Sequence, residues 1–178
     1  GSGRHMKPEL IVLCGLAFSG KSTIARRVAA ELGAELISYD VLNAARGFDG
    51  GTVMDDSEWE KTGLMAASTA HTLLASGRSV VVDDTFSHRF LRQRFAAVAA
   101  AEGASFVLLF VDTPLAVIEA RIAENARTGA RGHIAPDVFA HHRERFEFPR
   151  DDERPVRLAS AAALDLWLAG RRGASVRA

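Results

Sequence analysis

Hydrophobic residues along the chain fall into short continuous runs that alternate with longer segments of helical period. The runs "ELIVLC", "AELIS", "SVVVD", "SFVLLFV" and "PVRLA" predict five buried β-strands. Between these runs, helices are predicted to begin near Lys21, Ser57, Ser87, Pro114, Pro136 and Ser160. Because strands alternate with helices, the pattern predicts an α/β fold in which helices flank a five-stranded parallel sheet.

Glycines and loop segments mark where the predicted elements end. Gly33, Gly77 and Gly103 each follow a helical run and precede a strand, so we expect a left-handed helix end at each of them. The acidic segment "RGFDGGTVMDDSE" has neither period and predicts a loop of about a dozen residues. The segment "ARTGARGH" predicts a second loop. Long loops in compact domains are often functional, so both are candidate functional segments.

Composition limits the classes of protein that the chain can belong to. Its 178 residues, of which 48% are hydrophobic, suffice for one core, so we expect a single domain over residues 6–178 after an expression-tag remnant at residues 1–5. The longest apolar runs are far shorter than the roughly 20 residues of a membrane span, and no secretory signal is visible. The lone Cys14 cannot form an intramolecular disulfide. We therefore expect a cytoplasmic protein without a membrane partner.

Positive and negative charges balance over the whole chain. Lysines plus arginines number 22, as do aspartates plus glutamates, so no net field attracts the protein to nucleic acid. Arginines nevertheless cluster between Arg121 and Arg157. A guanidinium suits bidentate phosphate binding, although GC-biased coding produces the same excess of arginine.

The first motif that carries chemistry is "GLAFSGKS", from Gly15 to Ser22, which matches G-x-x-x-x-G-K-[ST] between a predicted strand and a predicted helix. Gly15 and Gly20 allow backbone N–H groups to converge on a β-phosphate at a helix N-terminus. Lys21 is expected to bridge the β- and γ-phosphates, and Ser22 to supply a hydroxyl to Mg²⁺. The other predicted nucleotide contacts are Ala17, Phe18, Ser19 and Thr23. The motif indicates binding of ATP, with GTP as the alternative, but it does not distinguish a kinase from a switch GTPase or a motor ATPase.

Two aspartates follow predicted strands whose carboxyl ends lie beside this loop. Asp83 ends "SVVVD", and we expect it to hold Mg²⁺ through water, because ligands lie beyond the carboxyl ends of strands in doubly wound sheets. Its alternative role is a helix N-cap or a solvated turn, and Asp84 or Thr85 could also cap the next helix. Asp40 ends "LISYD" and either accepts the proton of an acceptor hydroxyl or caps a helix.

Five segments in order, "GLAFSGKST", "SYD", "VVVDDTFSHRFLRQRF", "FVDTPLAVIEARIAEN" and "FEFPRDDE", resemble the small P-loop kinases of the polynucleotide kinase, chloramphenicol phosphotransferase, zeta toxin and seryl-tRNA kinase group. The resemblance spans residues 9–157. It implies a P-loop NTPase sheet of the nucleoside-monophosphate-kinase type, Asp40 as the general base, and a short Arg-rich lid over residues 125–136. Many relatives carry an arginine three residues after this aspartate, where this chain has Asn43, with Arg46 a turn later.

The resemblance also implies roles for residues around the nucleotide. Arg127 and Arg131 of the lid would neutralise the charge of the transition state. Arg121 resembles an arginine that stacks on adenine, and Pro149 lies in the segment that corresponds to the turn beside adenine. A solvated helix face or a salt bridge is the alternative for each arginine, and a plain loop is the alternative for Pro149.

The predicted acceptor contacts are Asp40, Arg46, Arg89 and Arg92, although surface positions are equally open for Arg89 and Arg92. The prediction for the whole chain is an ATP- and Mg²⁺-dependent kinase that phosphorylates a hydroxyl of a small molecule. A polynucleotide 5′-hydroxyl kinase is the near alternative, and a nucleotide-hydrolysing switch is the distant one. The acidic segment "GFDGGTVMDDSEWE" would repel a phosphate backbone, so nucleic acid is the less favoured acceptor.

His141 and His142 are predicted to lie on a solvated helix face. Adjacent helical positions point about 100° apart, and no cysteine or carboxylate is spaced to complete a metal site with them.

Overall fold

The computed structural model describes residues 7–48, 53–129 and 134–177. Within them the strands are β1 (Glu9–Cys14), β2 (Glu35–Ser38), β3 (Val80–Asp83), β4 (Ser105–Val111) and β5 (Val156–Leu158). The helices are α1 (Lys21–Leu32), α2 (Tyr39–Ala45), α3 (Asp56–Ala75), α4 (Arg89–Ala101), α5 (Leu115–Thr128), α6 (Pro136–Arg145) and α7 (Ala161–Arg177), with a 3₁₀ turn at Asp151–Glu153.

The strands form one parallel sheet in the order β2-β3-β1-β4-β5. Val12 of the central strand pairs with Val82 on one side and with Leu108 on the other. The sequence prediction of a five-stranded parallel sheet flanked by helices is therefore confirmed. The order brings the carboxyl ends of β1, β2 and β3 to one edge, where the chain presents its polar residues.

Alternating residues of β1 pack into two separate cores on the two faces of the sheet. On one face, Leu10 and Val12 belong to a cluster with Ala70 of α3 and Phe95 of α4. On the opposite face, the neighbours of these β1 residues cluster with side chains of α1 and α7, among them Ile11, Leu13, Val28 and Leu168. Because both faces are covered, the central strand is a continuous apolar run.

The single cysteine of the chain belongs to one of these two cores. Cys14 is fully buried at the end of β1. Burial raises the pKa of its thiol to about 12. The thiolate is the reactive form of cysteine, so this side chain is a structural, unreactive one.

The helix starts decide between capping and other roles for the aspartates. Ser38 caps α2, and its side chain accepts a hydrogen bond from the Val41 N–H at 3.3 Å. Residue His88 is the N-cap of α4. The N-cap alternatives for Asp40 and Asp83 are therefore wrong, as are those for Asp84 and Thr85. The left-handed helix ends predicted at Gly33, Gly77 and Gly103 are all found.

The two predicted loops are shorter than the sequence pattern indicated. α3 already begins at Asp56, because the Asp55 side chain accepts a hydrogen bond from the Glu58 N–H at 2.9 Å and caps the helix. Residues 49–52 of the first loop lie outside the described residues. The first part of the expected lid is helical, since α5 continues to Thr128 and ends at Gly129. Among the described helices, none combines the length and the apolar character that crossing a membrane requires.

Candidate phosphoryl-transfer site

The loop between β1 and α1 has a backbone conformation that fixes the residue type at two positions. A Cβ atom at Gly15 would lie 2.8 Å from the Val111 carbonyl oxygen and 2.9 Å from the Ser19 hydroxyl, so only glycine fits there. Gly20 has a φ of 95°, a left-handed value that glycine adopts without strain. Phe18 has a φ of 65° although it carries a large side chain, which is a strained conformation.

Side chains from three elements hold the carbonyl groups of this loop. The Lys21 ammonium donates a hydrogen bond to the Leu16 carbonyl at 2.9 Å, and Lys21 is only 8% exposed. The Thr113 hydroxyl donates to the Ser19 carbonyl at 2.7 Å. The Arg121 guanidinium of α5 donates to the Phe18 carbonyl at 3.0 Å. The loop is thus held in place around a positive side chain at the N-terminus of a helix, an arrangement that binds anions.

A pocket opens at this loop and is lined by Phe18, Gly20, Lys21, Ser22 and Thr23. The Ser19 hydroxyl is buried and has no hydrogen-bond partner within the described part of the chain. A phosphate group has the charge and the acceptor oxygens that this pocket accommodates. The residues present therefore fit a nucleotide phosphate at the position that the sequence motif predicts.

Asp83 lies beside the same pocket at the carboxyl end of β3 and is 8% exposed. The Ser22 side chain lies close enough to the Asp83 carboxylate to lower its pKa. Burial raises the pKa of Asp83 and is the largest effect on it. The Ser22 side chain and the positive charge of Lys21 lower this pKa, whereas the negative charge of Asp40 raises it. The net shift of the pKa is upward. Lys21, Ser22, Asp83 and Asp40 thus act on one another at one edge of the sheet.

The hydroxyl of Ser22 and the carboxylate of Asp83 are hard oxygen ligands of the kind that suits Mg²⁺. Among the described residues, no three His, Cys, Asp or Glu side chains gather in a metal-binding cluster. A cation held by Ser22 and Asp83 would therefore complete its shell with water and phosphate oxygens, as Mg²⁺ does in nucleotide sites. Ser22 and Asp83 therefore fit the role of magnesium ligands that the sequence predicts.

Asp40 is exposed in the first turn of α2, next to the strand that pairs with β3. Since Ser38 caps that helix, the Asp40 carboxylate is not needed for capping. Its charge reaches Asp83, so the carboxylate lies on the side of the sheet where the phosphates would be. This position allows it to meet a second substrate.

A family model described as "AAA domain" matches residues 10–149. The chain belongs to this family. The chain is 31% identical over 131 residues to the shikimate kinase of Nitratidesulfovibrio vulgaris, a match that covers 73% of this chain and 72% of that protein. The tRNA dimethylallyltransferase of Acaryochloris marina is 49% identical over 47 residues, but the chain spans only 16% of its length.

Solved structures show that the chain has the fold of a P-loop kinase. Chaetomium thermophilum Kti12 in complex with ADP-AlF3 matches with a TM-score of 0.71 at 19% identity, over 92% of this chain and 97% of that one. The Mycobacterium tuberculosis kinase CysC, bound to AMPPNP and APS, matches at 0.64 and 21%, over 94% and 96%. The Pnkp1/Rnl/Hen1 RNA repair complex matches at 0.65 and 23%, over 83% and 49%. The resemblance to P-loop kinases is confirmed, and the kinase relatives indicate a phosphotransferase.

Arg46 joins α2 to α3. The sequence predicts this arginine to contact the acceptor. Its guanidinium forms an ion pair with the Glu58 carboxylate and donates hydrogen bonds to the Glu58 carbonyl at 2.8 Å and the Thr62 hydroxyl at 2.6 Å. The Thr62 hydroxyl donates in turn to the Asn43 side-chain oxygen at 2.5 Å. Arg46 and Asn43 therefore lie near one another, as their spacing predicts, but both are engaged in holding the two helices together.

Arg92 requires a correction, because it is a buried structural side chain and not an acceptor contact. It is 2% exposed, and it donates to the two Glu153 carboxylate oxygens at 2.7 and 3.1 Å and to the Phe86 carbonyl at 2.7 Å. This ion pair joins α4 to the 3₁₀ turn before β5. Arg89, one turn earlier, is paired with Asp152 at the surface.

The residues predicted to contact the nucleotide from outside the phosphate loop fall in two parts of the chain, one at α5 and the residues after it and the other around Pro149. Arg121 contacts the phosphate loop directly, as described above. Arg127 is exposed in the last turn of α5, 3.2 Å from Glu124, while Arg131 lies outside the described residues. Pro149 follows Phe148, whose ring contacts Phe110 near the carboxyl end of β4 at a centroid distance of 5.9 Å. The roles of these residues toward a nucleotide stay predictions.

The sequence patterns did not reveal one contact of the phosphate loop and one half-buried carboxyl group with a raised pKa. His142 does not lie on a solvated face: its Nε2 accepts a hydrogen bond from the Ala17 N–H at 3.1 Å. The apolar Phe139 and Phe146, three residues before and four after it, are the signal that could have revealed a buried stripe on α6. Asp84 is half-buried next to Asp83 and accepts a hydrogen bond from the Phe86 N–H at 3.1 Å; burial raises its pKa to about 6.

Proposed function

We propose that this protein is a kinase that transfers the γ-phosphoryl group of ATP to a hydroxyl group of a small molecule. The observation that carries the proposal is the pocket lined by Lys21 and Ser22 next to the buried Asp83, which the charges of Lys21 and Asp40 both reach. These are the side chains that a phosphoryl transfer needs, namely a cation on the phosphates, oxygen ligands for magnesium and a carboxylate free to accept a proton.

On the donor side, the backbone of Gly15–Ser22 binds the β-phosphate, and Lys21 neutralises negative charge on the β- and γ-phosphates. Ser22 and Asp83 would hold Mg²⁺, which supplies further charge neutralisation on the phosphate oxygens when it is bound. Arg121 contributes from α5, where it already contacts the loop. By the resemblance to P-loop kinases, Arg127 and Arg131 would add to this neutralisation.

On the acceptor side, Asp40 accepts the proton of the attacking hydroxyl and orients its oxygen toward the γ-phosphorus. The new bond forms between that oxygen and phosphorus, while the bond between phosphorus and the bridging oxygen of ADP breaks. Asp40 suits this step because it is exposed, lies at the N-terminal end of α2 and has no capping role.

The charge around the acceptor side supports a small molecule over a polynucleotide. A 5′-hydroxyl end of nucleic acid requires cationic side chains that are free to bind successive phosphates. Arg46, Arg89 and Arg92, the arginines available for such a track, are paired with Glu58, Asp152 and Glu153. The shikimate kinase relative, whose name states a small hydroxylated acceptor, adds support from sequence.

The experiment follows the label of γ-labelled ATP with Mg²⁺ across shikimate, gluconate, APS, sugars, nucleosides, antibiotics and a 5′-hydroxyl oligonucleotide. We expect stoichiometric transfer to one class of small alcohol and slow phosphate release without an acceptor. Efficient transfer to the oligonucleotide that falls steeply with salt would replace the small-molecule acceptor with a polynucleotide. Phosphate release that no acceptor changes would replace the kinase with a hydrolysing switch.

A further inference from the structure

His142 connects α6 to the phosphate loop through one hydrogen bond. Its Nε2 atom accepts from the Ala17 N–H at 3.1 Å, a contact between residues 125 positions apart in the chain. The imidazole also packs on the rings of Phe139 and Phe146, at centroid distances of 6.1 and 5.8 Å. The ring is therefore held from two sides while its nitrogen faces the backbone of the loop.

Only the neutral imidazole can make this contact. A nitrogen that accepts a hydrogen bond from an amide carries no proton, whereas both nitrogens of an imidazolium are donors. Protonation of Nε2 would place an N–H group opposite the Ala17 N–H and convert an attraction into a repulsion. The charged group that acts on His142 from the phosphate-loop side is Lys21, and its positive charge also disfavours the imidazolium.

We propose that neutral His142 is a positioning residue that fastens α6 to the phosphate loop and makes nucleotide binding sensitive to acid. The proposal rests on the proposed function, because it assumes that the loop Gly15–Ser22 binds the nucleotide. Ala17 lies inside this loop, so losing its contact with His142 frees the loop backbone and separates it from α6.

The direction of the pH effect follows from the surroundings of the ring. Burial lowers the pKa of His142 from its ordinary value of 6.5, and the charge of Lys21 lowers it further. The contact is therefore fully formed above pH 6.5, the value of the unfolded chain, and it is lost as the pH falls through the lower pKa of the folded protein. Acid pH should therefore break the hydrogen bond between His142 and the loop backbone, without any change in Lys21 itself.

Three variants separate positioning from other roles. His142→Gln supplies an amide oxygen that can accept the Ala17 N–H but cannot titrate, whereas His142→Ala removes the acceptor at every pH. His141→Gln is the matched control, because the neighbouring His141 is 70% exposed and its nearest charged partner is Glu144 on the same helix at 4.0 Å.

The experiment measures the affinity of each full-length protein for ADP with Mg²⁺ by calorimetry between about pH 7.5 and pH 5. The phosphates of the nucleotide titrate near pH 6, so every affinity is expressed relative to His142→Gln at the same pH. We expect wild type and His141→Gln to lose about tenfold relative to His142→Gln over this range, the scale of one hydrogen bond. His142→Ala should be weaker than His142→Gln by a similar factor at all pH values.

Two results would overturn the proposal. Parallel pH profiles for wild type and His142→Gln would show that the imidazole has no titrating role. Tighter binding of ADP by wild type at low pH would show instead that the imidazolium contacts a phosphate.

Failure of the proposed function gives a different result, because no variant would then bind ADP at any pH. In that case the contact itself is still testable in the nucleotide-free protein by nuclear magnetic resonance. We expect the Ala17 amide resonance to shift with the titration of the His142 ring, and a constant Ala17 resonance would overturn the proposal.

Discussion

The donor edge of the site, formed by Gly15–Thr23 and Asp83, differs from the acceptor side, formed by α2 and the first turns of α3. The donor edge is held by buried groups: Lys21 and Asp83 are each 8% exposed, and three side chains bind the carbonyls of the loop. The acceptor side presents an exposed Asp40, and a half-buried ion pair between Arg46 and Glu58 joins its two helices.

This difference indicates that the nucleotide and the acceptor bind to surfaces of unequal rigidity. A site built from backbone and buried side chains binds its ligand with little rearrangement, so the nucleotide half is preorganised. A side built from the single short helix α2, joined to α3 by an ion pair, can reorganise, since a partly exposed pair stabilises its geometry only weakly. Substitutions at the donor edge and at Asp40 should therefore act on chemistry directly, whereas substitutions of side chains that only join helices should act through stability.

The largest effect is expected for Lys21→Ala at the donor edge. Loss of the ammonium removes the positive charge nearest the transferred phosphoryl group, so we expect the transfer rate to fall on the order of a thousandfold. The measurement is single-turnover transfer of labelled phosphate to the acceptor found in the panel. Near-normal transfer by this variant would mean that the loop is not the active one and would remove the donor edge from the account.

The next largest effect is on the free energy of unfolding, and it distinguishes two arginines of α4. Arg92→Met leaves the Glu153 carboxylate, 9% exposed, without its cation, so we expect a loss of about 3 kcal/mol in the free energy of unfolding. Arg89→Met is the matched control: its partner Asp152 is 60% exposed, and the loss should stay below about 1 kcal/mol. Denaturant titration gives both values, and equal losses would contradict the structural role of Arg92.

The pH dependence of unfolding sharpens the same comparison. Burial raises the pKa of Glu153, but the hydrogen bond from Arg92 and that from the Arg150 backbone outweigh it, so the pKa lies below the ordinary value of 4.5. The stability that Glu153 contributes is present above pH 4.5 and is lost as the pH falls through the lower folded-state pKa. In Arg92→Met this acid-sensitive contribution should disappear, whereas in Arg89→Met it should remain.

The smallest effect is expected at Arg127, which is exposed on α5 and lies in the predicted lid. If it acts in the transition state, Arg127→Ala should lower turnover about tenfold and leave the affinity for ADP unchanged. Arg78→Ala, which removes an exposed arginine at the opposite edge of the sheet, is the control and should change neither quantity. A parallel loss of affinity and turnover in Arg127→Ala would indicate ordinary ground-state binding.

The donor edge could be predicted from sequence because its information is local. Eight contiguous residues, Gly15–Ser22, specify the loop, and a Cβ at Gly15 has no room. The strands were predictable for a related reason: buried parallel strands are short continuous apolar runs. The sheet order and the caps by Ser38 and Asp55 depend on packing that no single segment of the sequence records.

The roles of Arg92 and His142 could not be predicted with the same ease because their contacts join distant segments. Arg92 meets Glu153 across 61 positions, and no spacing rule relates the two. One local signal existed, since Arg92 lies three residues before the buried Phe95 on the apolar stripe of α4, while Arg89 does not share its burial. His142 gave the same kind of signal between Phe139 and Phe146. An arginine or histidine on an apolar stripe is thus better read as a packed side chain than as a solvated one.

The central claim is that the donor edge binds the nucleotide while Asp40 carries the proton transfer from the acceptor. The most direct test is Asp40→Asn, which keeps the size of the side chain and removes its basicity. We predict unchanged affinity for ADP with Mg²⁺, unchanged stability and a transfer rate reduced by about a hundredfold or more. Transfer at the wild-type rate would contradict the account, because the acceptor hydroxyl would then lose its proton to another group.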